Sequence, residues 1–137
     1  MKKTISLCVM IVVMLSMFTF GVSATTSDNA GMRYLYTSSC YSALTINGST
    51  AACDSEVKGY YGITTKIEIK QSFEKLLSNG WWQRLKSWDG TFYSYHASMY
   101  NTTTVTSSGT YHVRTSTKVY SGSNYESISH YSNNVVH

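Results

Sequence analysis

The chain has 137 residues, with eleven basic and seven acidic side chains and a formal net charge of +4. A length of this order favours a single domain. The weak positive charge comes without a basic stripe or a base-stacking motif, so we expect no nucleic-acid partner.

The first 24 residues are predicted to be a secretory signal peptide. Two lysines follow the initiator methionine, an uncharged apolar run extends from Ile5 to Phe20, and Val22-Ser23-Ala24 supplies small residues at a cleavage site. A basic start, an apolar stretch and a small-residue site are the three parts of such a signal. The run is shorter than the ~20 residues that a membrane span needs. We expect cleavage after Ala24, which leaves residues 25–137 as one secreted domain.

Export leaves Cys40 and Cys53 as a pair, because Cys8 departs with the signal peptide. Asn47-Gly48 between them predicts a β-hairpin. A hairpin centred near residues 46–47 places position 40 opposite 53, whereas a strict two-residue loop at 47–48 pairs position 40 with 55. We therefore expect a Cys40–Cys53 disulfide, with a longer loop or a diagonal bridge. A metal site or a catalytic thiol is not expected, since neither cysteine belongs to a C-x-x-C motif and no histidine is near.

The rest of the chain shows strand patterns separated by turn residues. Residues 65–75 alternate, with Ile67, Ile69 and Phe73 on one face. A second alternating segment, Thr110 to Tyr120, places five residues on one face: Tyr111, Val113, Thr115, Thr117 and Val119. Turns are predicted at Asn79-Gly80, Asp89-Gly90, Ser107-Ser108-Gly109 and Ser121–Asn124. Seven or eight short strands in series, without helices between them, indicate an antiparallel sandwich or barrel.

The segment Gly109-Thr110-Tyr111-His112-Val113 favours the sandwich. In immunoglobulin-like domains a tyrosine begins strand F two positions before a core residue, and here Val113 has that place. The predicted disulfide departs from the immunoglobulin pattern, because it joins two neighbouring strands and not the two sheets. We predict an all-β, antiparallel immunoglobulin-like β-sandwich of about seven strands, with a small β-barrel as the alternative.

Five motifs follow one another along most of the chain after the signal peptide. They are Cys40 to Tyr60, Thr65-Lys66-Ile67-Glu68-Ile69, Trp82…Lys86-Ser87-Trp88, Ser107 to Val113 and Val119-Tyr120-Ser121-Gly122. In this order they resemble a family of small secreted proteins of unknown function from Gram-positive bacteria. The resemblance implies a bacterial exported domain, and it supplies no catalytic or binding residues.

An aromatic and basic segment is the strongest predicted binding surface. Trp81 and Trp82 are adjacent, so in a strand they point to opposite faces. If Trp81 and Leu85 face inward, the outer face carries Trp82, Arg84, Lys86 and Trp88, and a β-bulge at Asn79-Gly80 or Ser87 would reassign these faces. Exposed tryptophan beside basic side chains stacks on sugars, binds proteins or lies at a membrane surface. The alternative is that these aromatics only cover the sheet. The predicted binding residues are Trp82, Arg84, Lys86, Trp88, Tyr93 and Tyr95.

No catalytic or metal site is predicted, and no cofactor is expected. The four histidines show no convergent spacing, and no G-x-S-x-G motif is present. Asp54 and Glu56 share a strand face and could form an acid pair, but two solvated charges are the simpler interpretation.

The leading hypothesis is a secreted, non-catalytic interaction module without a membrane span. Its partner would be a protein or a glycan, outside the cell or at the cell envelope. A secreted antimicrobial or competition factor is the alternative, suggested by small size, export and mild positive charge. A small hydrolase is the weaker alternative.

Overall fold

The computed structural model describes residues 34–137, which contain eight β-strands and no helix. The predicted signal peptide lies outside these residues, as do the first residues of the predicted domain. The strands are β1 (Thr37–Asn47), β2 (Thr50–Gly59), β3 (Lys66–Leu76), β4 (Trp82–Phe92), β5 (His96–Thr104), β6 (Thr110–Ser121), β7 (Asn124–Tyr131) and β8 (Val135–Val136). The all-β prediction is confirmed.

The strands form two antiparallel sheets with an immunoglobulin-like order. One sheet has the order β1-β2-β5, and the other has the order β4-β3-β6-β7, with β8 beside the start of β6. In immunoglobulin terms these are strands A-B-E and C′-C-F-G. Both sheets keep open edges, so the described residues form a sandwich and not a closed barrel.

Alternating side chains of both sheets build the interior. On β6 the predicted face, Tyr111 to Val119 in steps of two, is buried throughout. On β3, Ile67, Ile69 and Phe73 are buried as predicted. The alternation holds because a strand presents successive side chains to opposite sides, and only one side faces the other sheet.

The predicted tyrosine at the start of strand F forms a tyrosine corner. The Tyr111 hydroxyl donates to the carbonyl oxygen of Ser107 at 2.5 Å, and its ring stacks on Phe73 with centroids 5.1 Å apart. A buried hydroxyl needs such a partner, and the carbonyl four residues upstream supplies it. This hydrogen bond fixes the crossing from β5 to β6 at the end of the sandwich.

A chain of polar side chains crosses the interior between the two sheets, and we call it the polar belt. Its members are Ser42, Ser55, Gln71, Asn101 and Thr115. Asn101 Nδ2 donates to Gln71 Oε1 at 2.9 Å, and Gln71 Nε2 donates to Ser55 Oγ at 2.8 Å. The Thr115 hydroxyl then bonds Ser55 at 2.7 Å and Ser42 at 2.6 Å. Consecutive members alternate between the sheets, so the belt links five strands.

The polar belt divides the apolar core into two clusters. One cluster lies toward the β1–β2 turn and contains Ala51, Cys53, Phe73, Val105, Tyr111 and Val113. The other contains Val57, Ile67, Ile69, Ala97 and Val119. On β2 the order Cys53, Ser55, Val57 passes from one cluster through the belt to the other.

The predicted Cys40–Cys53 disulfide is wrong, because both thiols are free. The hairpin loop is Gly48-Ser49, with Asn47 paired to Thr50, so Cys40 lies opposite Val57 and Cys53 lies opposite Leu44. The two cysteines share the inner face but are offset by about 13 Å along the strands at ~3.3 Å per residue, far beyond disulfide reach. Gly48 takes the left-handed φ of 56° that the first position of this tight turn requires.

The predicted turn at Asp89-Gly90 is also wrong, since both residues lie within β4. Gly90 does not have a positive φ; instead, a Cβ there would meet the Phe92 ring at 2.8 Å and the Met99 sulfur at 3.0 Å. The glycine therefore permits close packing in a continuous strand.

We predict that Thr115→Val lowers the free energy of unfolding by about 1–3 kcal/mol, because it keeps the shape but leaves the buried hydroxyls of Ser42 and Ser55 without their shared partner. Urea unfolding measures the difference. Thr104→Val, at an exposed position of β5, is the control and should change stability by less than ~0.5 kcal/mol. An unchanged Thr115→Val variant would contradict a structural role for the belt.

We also predict that residues 25–137, prepared without reductant, contain two free thiols. Burial raises the pKa of Cys40 to about 11 and that of Cys53 to about 12, so both should react slowly with Ellman's reagent in the folded protein at pH 8. Both should react fully after unfolding in urea. Absence of thiol in the unfolded, unreduced protein would show that the cysteines are bridged after all.

Candidate functional site

The six predicted binding residues do not form one surface. A β-bulge at Leu85 interrupts the pairing of β3 with β4, because Phe73 pairs with Lys86 while Glu74 pairs with Arg84. An extra residue in one strand reverses the faces of all residues beyond it. The bulge thus separates Trp82 and Arg84 from the second half of the predicted set.

Trp82 and Arg84 lie on the outer face of the five-stranded sheet, as predicted. Lys86 and Trp88 lie on the inner side, because their partners Phe73 and Gln71 point into the sandwich. Trp88 is half-buried and packs against the core cluster that contains Phe73. It therefore has a packing role, and the predicted Trp82/Trp88 pair does not exist as a surface.

Tyr93 and Tyr95 lie beyond the opposite end of β4. Tyr93 is 85% exposed, and the Tyr95 ring makes an edge-to-face contact with Tyr61 at 5.2 Å. Residues 82 and 93 are separated by about 35 Å of extended strand at ~3.3 Å per residue, so these tyrosines cannot act with Trp82 on one small ligand.

Trp82 covers a buried polar pair on the outer face. His112 and Glu74 are only 4% and 5% exposed, and His112 Nε2 donates to Glu74 Oε2 at 2.9 Å. The Trp82 ring stacks on the His112 ring with centroids 3.6 Å apart. The Tyr131 ring lies on the imidazole at a tilt, with centroids 5.4 Å apart. The other carboxylate oxygen of Glu74 lies 3.8 Å from Arg84 Nε. Trp82 and Arg84 are thus occupied within the protein.

No sequence motif indicates the Glu74–His112 pair. Glu74 and His112 are 38 residues apart and meet because the register of β3 with β6 makes them partners. The alternation of side chains along β3 and β6 predicts that Glu74 and His112 share the outer face. It does not predict that they are directly opposite each other, because that depends on the register of the two strands.

The outer face also carries a groove of about 430 Å³. Its floor is the middle of the four strands, and its polar lining comes from Glu68, Lys70, Asp89, Thr91, Ser116, Lys118, Ser127 and Ser129. These are outward positions of neighbouring rows, for example Asp89–Lys70–Ser116–Ser129 across β4, β3, β6 and β7. The size is in the ordinary range of ligand sites, ~300–1,000 Å³, and, as in most such sites, apolar atoms make up most of the lining, with the polar groups set among them.

Tyrosines flank the groove at both ends. Tyr120 and Tyr125 lie in the row beyond Lys118, with ring centroids 5.3 Å apart, and Tyr131 lies beyond Ser129. The Lys118 ammonium is 5.0 Å from the centre of the half-exposed Tyr125 ring. Planar rings therefore border a floor of hydroxyl and charged groups.

The charges in the groove are only partly paired. Lys70 and Asp89 form a loose ion pair at 3.6 Å. A hydrogen bond from Lys66, and a second one from the Tyr120 hydroxyl, hold the pKa of Glu68 below its usual range, so this carboxylate stays an acceptor at neutral pH. Lys118 is in no salt bridge within residues 34–137.

The acid pair considered from the sequence lies on the other sheet. Asp54 and Glu56 are both on the outer face of β2, and Glu56 accepts from Lys58 at 2.8 Å and lies 3.2 Å from His96 Nε2. The hydrogen bond and charge of Lys58 lower the pKa of Glu56. A general acid needs a raised pKa, so Glu56 is poorly suited to the general-acid role in glycoside hydrolysis.

Across residues 34–137, no group of three His, Cys, Asp or Glu side chains comes together in a way that would hold a metal ion. The same part of the chain has no helix that is long and apolar enough to cross a membrane. Comparison with protein-family models and with curated proteins finds no match to this chain. The groove must therefore be interpreted from its own chemistry.

We predict that Glu74→Ala lowers the free energy of unfolding by about 1–3 kcal/mol, because it leaves the buried Nε2 of His112 without its partner. Thermal or urea unfolding gives the value. Asp89→Ala, which breaks an exposed pair, is the matched control and should cost less than ~1 kcal/mol. Equal effects of the two substitutions would show that the Glu74–His112 hydrogen bond contributes no more than a surface pair.

Proposed function

We propose that the protein is a secreted, non-catalytic binding module whose groove on the outer face of the five-stranded sheet binds an anionic glycan. The observation that carries the proposal is the tyrosine-flanked groove of about 430 Å³ with its lining of hydroxyl, carboxylate and ammonium groups. Secretion follows from the predicted signal peptide, and the glycan would be outside the cell or part of the envelope.

The lining favours a ligand with many hydroxyl groups. Ser116, Ser127 and Ser129 each offer one donor and two acceptor positions, and ionised Glu68 accepts only. A sugar chain presents hydroxyls that pair with both kinds of group, while the C–H face of its ring packs on an aromatic side chain such as Tyr125. The open shape of a groove across a sheet suits an extended chain better than an enclosed small molecule.

Two cations favour negative charge on that glycan. Lys118 is exposed in the groove without a salt bridge among the described residues. Two rows away on β6, beyond Ser116, the Arg114 guanidinium lies 5.8 Å from the centre of the Tyr131 ring, and its buried Nε has no hydrogen-bond partner. Arginine and lysine bind carboxylate and phosphate groups through charge-assisted hydrogen bonds.

We predict that residues 25–137 bind a uronic-acid polysaccharide or a phosphate-bearing wall polymer and bind a neutral glucan much more weakly. The double variant Lys118→Ala/Tyr125→Ala should weaken this binding by about tenfold or more, since it removes one charge-assisted contact and one stacking surface. Isothermal titration calorimetry or retention on immobilised polymer measures the change.

Tyr100→Ala is the control variant, because Tyr100 is 68% exposed on the outer face of the other sheet. It should bind as the unmodified protein does. The proposal fails if the groove variant binds as tightly as the control, or if no anionic polymer is retained at all. Loss of binding above about 0.3 M salt is expected, because the Debye length falls from ~8 Å at physiological ionic strength toward ~3 Å at 1 M.

A further inference from the structure

We propose that the tip of the β3–β4 hairpin, residues 75–86, docks on an anionic lipid surface. The hairpin tip carries the exposed apolar side chains Leu77, Trp81 and Leu85, together with the basic residues Lys75 and Lys86. This surface is separate from the groove and independent of the glycan proposal.

The turn holds Trp81 in a defined place. The amide of Gly80 donates to the carbonyl of Leu77 at 3.0 Å, and Gly80 adopts a left-handed φ of 83°. The amide of Leu77 donates to the carbonyl of Trp81 at 2.8 Å, and Asn79 Oδ1 accepts from the Trp81 amide at 3.0 Å. This is a three-residue hairpin loop closed by a glycine, which fixes Leu77 and Trp81 as neighbours.

The facing sheet does not cover these two side chains. Leu77 and Trp81 continue the inner side of their strands, one step beyond Lys75, yet they are 37% and 71% exposed. Leu85, the extra residue of the bulge, is 46% exposed. These three side chains leave much apolar surface uncovered at the end of the hairpin, and an exposed apolar patch marks an interaction site.

The charges around the tip are positive. The carboxylate of Glu74, next to the tip, is already occupied by His112 and Arg84. Lys86 forms no salt bridge among the described residues, and Lys75 bonds a serine hydroxyl. Cations are attracted to an anionic leaflet, and tryptophan favours the membrane–water interface.

The positive charge of the tip favours lipid over a protein groove or a second copy. Protein interfaces place tryptophan in a fitted pocket on the partner, and a second copy would bring the same positive charges together. A bilayer interface has no fixed shape, so it accepts one projecting tryptophan with two leucines and needs only the opposite charge.

The test uses residues 25–137, which contain all eight strands, and omits the apolar run 5–20, which would bind lipid by itself. The protein is titrated with vesicles of phosphatidylcholine alone or mixed with phosphatidylglycerol. Co-sedimentation is expected with the anionic vesicles only, together with a blue shift of tryptophan fluorescence. Trp81→Phe should remove most of that shift, since Trp82 and Trp88 are half-buried already.

Leu77→Ala/Trp81→Ala should lower binding to the anionic vesicles by about tenfold or more, and Lys86→Gln should lower it by about fivefold. Tyr93→Ala, an equally exposed aromatic at the other end of β4, should have no effect. Urea unfolding confirms that each variant is folded. The proposal is overturned if anionic vesicles are not bound, if the tip variants bind normally, or if Trp81→Ala instead converts a dimer to a monomer in light scattering.

Discussion

The hydrogen-bonded chain Ser42–Thr115–Ser55–Gln71–Asn101 is the constraint on which the rest of the sandwich depends. Each bond adds only about 1 kcal/mol net, but a buried hydroxyl or amide that loses its partner costs ~1–3 kcal/mol. If one sheet shifted along the other, these side chains would face the apolar clusters on either side. The belt therefore selects one alignment of the two sheets, one inward position along β6 from Val113, which has the place of the strand-F cysteine of an immunoglobulin domain.

That alignment also determines the composition of the opposite surface. Gln71 and Thr115 point inward, so their chain neighbours Lys70 and Ser116 must point outward, and these two residues line the groove. Ser72 and Arg114, the chain neighbours of Gln71 and Thr115 on their other sides, likewise point outward and form the adjacent row of the outer face. Alternate residues of the same segments of β3 and β6 thus form the polar belt on the inner face and the proposed glycan groove on the outer face.

The fold followed from the sequence where alternation was long and unbroken. The face from Tyr111 to Val119 and the tyrosine corner were predicted because period-two patterning and a local turn determine them. The disulfide prediction is wrong because it depended on the position of the hairpin loop. The loop is Gly48-Ser49, one residue beyond the Asn47-Gly48 pair that the sequence suggests. The expected shared face of Trp82 and Trp88 is wrong for a similar reason, since one extra residue at Leu85 moves Trp88 to the inner face. Neither the Glu74–His112 pair nor the groove could be predicted from the sequence, because both arise from pairing between strands that are far apart in the chain.

The same bulge has a consequence for the solubility of the protein. β4 is an edge strand of eleven residues, and a regular edge of this length offers unpaired amides and carbonyls to any extended chain. At Leu85 the strand bends and its hydrogen-bonding pattern is interrupted, so a second β4 cannot align with it along the whole edge. Deleting one residue here would restore a continuous edge and, with it, a template for aggregation.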